Sequence, residues 1–494
     1  MKVIVVEKSS DIGGLWTYRK YSYGVTATTH INVSKYNYCF SDYPFEADEA
    51  DFVSHRTLSK YIKNYCLKFN VFEHICMRHK VKRLEKIDEG WIAHIAICRE
   101  PSPGVLVEAK EIAIRCNWVA IATGHHSEPK NIKISGLETF PGKIIHPAEY
   151  KSVDINKCTG NRTLVIGIGN SAVDAATDLA DHGAAVPVHL STRSGAWIAS
   201  RYIFGMPIDL YASRFLIHLP WKWLNYIYES ILTLIFGHPN KWGLNPQMKA
   251  LQTQPTVSDN LYYHIQRRNI VIQKDVEKIE KEKITFCDGK TFNFDVIVLC
   301  TGFVIKFDFL TQEHLETFLD SSTNEVSLYK NVFSPNIGSS LAFIGLVQPS
   351  SGGILSCSEV QARWFIQICQ GYCLLPNLCD MMNEIEKDRS IMKKRFYNSP
   401  RHTIQRDPVA YCDEICSMFG AKPSLIQHHA VAFRLIFGCA GPFQYRLNGP
   451  HSWSEASNAI SSIPVSSFSK LVAFICIFTL LFLMLFLLSV INSL

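Results

Sequence analysis

The order of apolar and polar positions separates several kinds of segment along the chain. Residues 163–166 (TLVI) are a short apolar run that leads into Gly167-Ile168-Gly169-Asn170-Ser171-Ala172. Small or apolar residues then recur at Ala172, Ala175, Ala176, Leu179, Ala180 and Gly183, the spacing of one helix face. Residues 186–190 (VPVHL) follow as a second strand, so the order predicted is strand, glycine turn, helix, strand. A further β-rich run covers residues 1–6 and ends in Glu7, ahead of Gly13-Gly14-Leu15-Trp16. Residues 202–236 are rich in Leu, Ile, Trp and Tyr, but Asp209, Arg214, Lys222 and Glu229 interrupt them too often for a membrane span. Trp221, Trp223, Tyr226 and Tyr228 there suit a helix lying at a bilayer surface, with an ordinary amphipathic core helix as the other reading. From residue 471 to 491 only Thr479 and Ser489 are polar, and no charge follows Lys470. As a helix this stretch is about 32 Å long, one bilayer core, and predicts a C-terminal transmembrane tail anchor with the preceding chain on the cytosolic side.

Composition narrows the class. With 494 residues the chain holds about three domain-equivalents. Hydrophobic residues at 47% against 19% charged exclude a disordered polyelectrolyte or a collagen-like fibre. Lys and Arg total 50 against 44 acids, a net charge of +6 with no concentrated basic patch, so no nucleic-acid partner is expected. The 16 cysteines form no CxxC or CxxxxC pair, which removes a disulfide reductase. Cys369 with Cys373 and Cys412 with Cys416 are each expected on one helix face, as buried reduced thiols rather than metal ligands. No signal peptide is expected, because Met1 leads straight into a strand, so the sequons at Asn32 and Asn161 read as chance matches.

The glycine turn carries the candidate chemistry. Gly167 permits a tight turn, Gly169 lets backbone approach a pyrophosphate, and Ala172, in the third glycine's place, keeps helix close to sheet. The helix start offers free N–H groups and partial positive charge to phosphate. After the second strand comes Ser191-Thr192-Arg193 with no acid, and Arg193 suits the 2′-phosphate of NADP. Glu7 is the kind of strand-end acid that binds an adenosine ribose, yet no glycine fingerprint stands about twenty residues before it. The first Rossmann unit therefore reads as beginning at its second strand. The missing central strand predicts two unpaired strand edges, weak binding of the dinucleotide this unit would hold, and poor stability.

These segments resemble the flavin-containing monooxygenases. Residues 7–16 are similar to that family's EKxxxxGGLW. Residues 140–150 (FPGKIIHPAEY) match its FxGxxxHxxxY identifier, and Asn32-Val33-Ser34-Lys35 matches its NxSK. Residues 39–45 (CFSDYPF), Ala122-Thr123-Gly124, Cys300-Thr301-Gly302, residues 194–197 (SGAW), Gln348-Pro349, residues 361–364 (QARW) and residues 443–447 (FQYRL) also match. The similarity runs from about residue 3 through residue 460. Tyr36-Asn37 stand where the family tends to have Glu-Met, and residues 454–458 (SEASN) replace its usual basic run.

The resemblance implies an α/β fold of two interleaved Rossmann-like dinucleotide-binding domains, for FAD and NADP, plus the C-terminal transmembrane helix. Residues 1–150 and 303–465 would form the FAD domain and C-terminal region, and 151–302 the NADP domain with an insertion at 202–245. Residues 471–491 would be the anchor. It implies a microsomal enzyme on the endoplasmic reticulum membrane, using FAD, NADPH and oxygen to oxygenate amine nitrogen or sulfur of lipophilic small molecules through a C4a-hydroperoxyflavin. Homo-oligomerisation is left open. By motif match, Asn32 is the catalytic amide at the flavin–nicotinamide contact. Glu7 would bind the FAD ribose, Leu15 and Trp16 would line the flavin site, and Gln348 would lie near the flavin. Gly167, Gly169, Asn170, Ser171 and Arg193 would hold NADP, while His146 and Tyr150 would orient the linker. Two other functions share this layout: Baeyer–Villiger ketone oxidation, whose identifier usually has Trp in place of Tyr150, and a catalytically impaired, membrane-tethered NADP-binding protein.

Overall fold

The computed structural model describes residues 1–20, 23–399 and 403–493, with the side chains at 477, 480, 481 and 484–493 outside the description. Its largest sheet has five parallel strands in the spatial order Ile270–Gln273, Ala185–Ser191, Arg162–Ile166, Val296–Leu299, Lys143–Ile145. Counting from Arg162–Ile166, the first four strands stand in the 3-2-1-4 order of a mononucleotide-binding half. The helix Asn170–Asp181 returns from the central strand to its neighbour. Its Ala172, Val173, Ala176 and Leu179 are fully buried against Val165, Val188, Leu190 and Val298. Val173 and Leu179 each contribute about 1.5–3 kcal/mol by leaving water. Small alanines on that face let the helix lie close to the sheet.

The rest of the chain before residue 140 and after residue 303 folds together. Strand Val119–Ile121 pairs in parallel with Leu341–Phe343, joining the two pieces. An antiparallel meander, His79–Ile87, Gly90–Ser102 and Val105–Cys116, packs on the same core through Leu84, Trp91 and Ile95. Helices Ile354–Cys369 and Pro408–Met418 build a second core around Val360, Trp364, Phe365 and Ile415.

Several expectations change on inspection. The first strand is only Val5–Glu7, not residues 1–6, and it pairs with Ile75–Met77 alone. Val6 packs on the core that holds Ile121 and Phe343, yet no ladder joins its strand to Val119–Ile121. Among the described residues the sheet there falls into two two-stranded pieces. Met1, Val3, Ile4 and Val5 stay exposed because no neighbouring strand covers them. Cys373 lies beyond the end of its helix at Cys369 and so shares no helix face with it, whereas Cys412 and Cys416 are both buried. All 16 cysteines are unpaired.

The segment after residue 202 is a short hairpin, a turn Ile208–Tyr211, a short helix Arg214–Ile217 and the helix Trp221–Phe236. Of the four aromatics expected at a bilayer surface, Trp223 and Tyr226 point outward with Leu234. Trp221 lies under the Arg395 guanidinium, and Tyr228 packs against Trp197 and Leu232.

The chain closes in helix Ser467–Ser493, and the expected span at 471–491 falls partly on side chains outside the description. Among the described residues no single helix is long and apolar enough to cross a membrane. The pair Ala456–Ser462 and Ser467–Cys476 meets that requirement together, by length and composition, across a bend of 106°. Pro464 in the break explains the bend, since it cannot continue a helix and holds Ile463 extended.

Candidate functional site

Every sequence-expected element of the phosphate turn is where the βαβ pattern puts it. Gly167 has φ +128°, and a Cβ there would sit 2.2 Å from the Cys300 carbonyl oxygen. Only glycine fits between the two strand ends. Its N–H donates to the Ser191 carbonyl at 2.9 Å. Gly169 caps the helix in an extended conformation, and Ser171 is exposed in the first turn. The first N–H groups of the helix have no intrahelical acceptor and face the turn. Asn170 Oδ1 accepts from the Val257 N–H at 2.8 Å, so its amide also braces the turn. Arg193 is exposed at the end of Ala185–Ser191, and its guanidinium pairs with no carboxylate among the described residues.

The residues expected around the flavin fall into two groups. Glu7 closes its strand and accepts from the Ser9 N–H at 2.7 Å through Oε1. Gly13 and Gly14, both at positive φ, turn the chain into Leu15, which is partly exposed, and Trp16. The Trp16 indole N–H donates to the Tyr38 hydroxyl at 3.1 Å, and the rings meet edge to face. Asn32 is half-buried between the fully buried Ile31 and the buried Val33. Its side-chain amide makes no hydrogen bond among the described residues. Gln348 is less free, because its Nε2 donates to Gln254 Oε1 at 2.7 Å.

Residues 146–151 tie these groups together. The Tyr150 hydroxyl donates to Asp178 on the Asn170–Asp181 helix at 2.6 Å. Lys151, 1% exposed, donates to the carbonyls of Gly24, Val25 and Ala148 at 3.1 to 3.3 Å. Burial, reinforced by Arg19, lowers the Lys151 ammonium to about 8. The Ala27 N–H donates to the Lys151 carbonyl, so the identifier segment runs beside residues 24–27, shortly before Asn32. His146 stacks on Tyr23 and meets Phe303 edge-on, a structural placement. A cleft of 410 Å³ separates the outer face of the same helix, at Asp174, Asp178 and Asp181, from residues 28–30 and 50–52. Burial, with Asp178 adding to it against the pull of Arg201, raises the Asp174 carboxyl to about 6.

His125 was not anticipated, although it directly follows the quoted Ala122-Thr123-Gly124. Both of its ring nitrogens are buried without a full hydrogen bond among the described residues, with the Gly345 backbone beside the ring. Burial, then the neighbouring His126, hold its pKa down to about 3, so the ring is neutral. Neutral imidazole has one donor and one acceptor, and leaving both unused beside the exposed Ala122–Gly124 turn fits a site for a polar cofactor. The free Asn32 amide, the strand-end Glu7 and the Gly167 cradle fit FAD and NADP in the same sense. Each lies at the carboxyl end of a strand or on a loop joined to one, where α/β sheets bind ligands.

The flavin-binding monooxygenase-like family model matches residues 1–473. Flavin-containing monooxygenase 5 of Rattus norvegicus is 35% identical over 479 residues, covering 93% of this chain and 87% of that one. Flavin-containing monooxygenase 3 of Homo sapiens is 33% identical over 475 residues, covering 92% and 86%. Among solved structures, S-allyl-L-cysteine S-oxygenase from Allium sativum superposes with a TM-score of 0.59 at 20% identity, over 84% of this chain and 82% of that one. OTEMO in complex with FAD and NADP gives 0.61 at 15% identity, over 84% and 93%. Cyclohexanone monooxygenase shares the fold as well, at 0.57 and 15% over 84% and 92%. A match along nearly the whole chain places this protein in the flavin-binding monooxygenase family.

Proposed function

We propose that this protein oxygenates a soft nitrogen or sulfur in lipophilic small molecules. One substrate, one O2, one NADPH and one proton would give the N- or S-oxide, NADP and water. The observation that carries this reading is the half-buried Asn32 amide, which no group among the described residues satisfies, on a loop tied through residues 148–151 to the dinucleotide helix. When bound, the flavin would accept hydride from NADPH and activate oxygen. The chain's own residues bind and hold. Gly167, Gly169 and the first turn with Ser171 would cradle the NADP pyrophosphate, and Arg193 would take its 2′-phosphate. Asn170 braces that turn. Glu7 would hold the FAD ribose, with Leu15, Trp16 and Gln348 along the flavin. Asn32 would present a donor and an acceptor at the reacting face without a strong acid, so a proton is not delivered too early.

Siting at the endoplasmic reticulum membrane, with the catalytic part in the cytosol, belongs to the same proposal. The apolar residues 471–491 and the outward Trp223, Tyr226 and Leu234 support it. Retention of Tyr150 favours heteroatom oxidation over ketone oxidation by the identifier pattern. The test is turnover of a thioether and a tertiary amine with NADPH under labelled O2. One labelled oxygen in each product is expected. Conversion of a cyclic ketone to a lactone, with the thioether and amine untouched, would replace this reading with the Baeyer–Villiger one.

A further inference from the structure

The Asn32 side chain has no hydrogen bond among the described residues, yet its neighbours are held on both sides by one stretch of chain far away in sequence. On the near side, Arg201 Nε donates to the Ile31 carbonyl at 3.5 Å, while its NH1 is fixed by Asp259 at 2.9 Å. On the far side, the buried Asp209 carboxylate accepts from the Ser34 N–H at 3.1 Å through Oδ1. Its Oδ2 accepts from the Ser34 hydroxyl at 2.6 Å and from Asn37 Nδ2 at 2.7 Å. Asn37 Oδ1 in turn accepts from the Cys439 thiol at 3.3 Å.

Asp209 has no cationic partner among the described residues. A carboxylate buried with only neutral donors is costly, since burial disfavours its charge. A neutral amide at this place could satisfy fewer of the three donors, because its own N–H groups would face donors. The carboxylate is acceptor-only and holds all three. Asn37, which departs from the resembled family's Glu-Met pattern, is one of these donors. The departure is therefore coupled to the turn at Ile208–Tyr211.

We propose that Asp209 is a positioning residue that fixes the 31–37 loop so that the Asn32 amide faces the flavin–nicotinamide region. The segment 201–209 would thereby make the insertion and the reaction site one mechanical unit. This rests on the reading of Asn32 given above, and the experiment separates the two.

The variants are Asp209→Asn, Asp209→Ala, the exchange Asp209→Asn with Asn37→Asp, and Asn32→Ala. Each is made in the full chain, purified in detergent with FAD. The first readout is amide hydrogen exchange of residues 31–37 without NADPH. Exchange is expected to speed up at least tenfold in Asp209→Asn and to return to within threefold in the exchange variant, which keeps one acid and one amide in the pair. The second readout is the ratio of hydrogen peroxide to oxygenated product per NADPH, expected to rise in Asp209→Asn and to fall back in the exchange variant. Should Asp209→Ala not fold, the asparagine variant and the exchange decide. Unchanged exchange and an unchanged ratio in a folded Asp209→Asn protein overturn the proposal, as does failure of the exchange variant to recover either readout. If Asn32→Ala leaves the ratio unchanged, the Asn32 reading fails. If Asn32→Ala raises the ratio and Asp209→Asn does not, only the role of Asp209 fails.

Discussion

Replacing Asn32 by alanine is expected to divert the enzyme from oxygenation to peroxide release. NADPH oxidation continues, oxygenated product falls about a hundredfold, and hydrogen peroxide takes its place. The magnitude is that of removing one preorganised polar group from a reacting site, roughly 10²–10³ in rate. The geometry also predicts what does not change. The Asn32 side chain makes no hydrogen bond among the described residues, so its removal leaves no orphaned partner there. The neighbouring loop is held by Arg201 and Asp209 through backbone and Ser34. Stability should therefore stay within about 0.5 kcal/mol, the range of substitutions that break no buried contact. The check is a thermal melt together with parallel assays of NADPH, product and peroxide. A variant that melts like the parent and couples like it would remove Asn32 from the reaction.

The second large effect is at Gly167. Gly167→Ala is expected to reduce NADPH affinity by at least a hundredfold, or to prevent folding of the dinucleotide half. The added Cβ would lie 2.2 Å from the Cys300 oxygen and 3.0 Å from its carbonyl carbon, both backbone atoms. Cys300 follows the strand Val296–Leu299, which is paired directly to Arg162–Ile166, so neither side can move away without breaking the sheet. The φ of +128° adds strain of about 1–3 kcal/mol for a residue with a side chain. Gly124→Ala is the control. It also has positive φ, +73°, but nothing lies within 4 Å of its Cβ, so only modest backbone strain of about 1–2 kcal/mol is expected. The pair is compared by NADPH titration and by melting. Tight NADPH binding by the Gly167→Ala protein would mean that the turn does not form the cradle.

What could be read from the chain alone was local. The strand, turn and helix from residue 162 to 181 appear almost residue for residue, because glycine spacing and apolar periodicity encode them within a few positions. Contacts between distant segments could not be read. Asp209 meets Ser34 across 175 positions, and Lys151 meets Gly24 across 127, without any periodic signal at either end. Trp221 and Tyr228 carry the same aromatic signal as Trp223 and Tyr226 but face inward, because neighbouring residues and not composition decide the direction. His125 was within reach, since a histidine pair after a strand-end glycine could have been singled out. Two unpaired strand edges were expected without their places; among the described residues Val5–Glu7 and Val119–Ile121 each pair with one strand only.

The central claim is that this chain holds a flavin which NADPH reduces. The measurement is the visible absorption spectrum of the full chain in detergent with excess FAD, recorded under argon before and after NADPH. The account predicts a perturbed flavin spectrum that bleaches with NADPH and returns when air is admitted. A spectrum identical to free FAD, unbleached by NADPH at any FAD concentration, would contradict it.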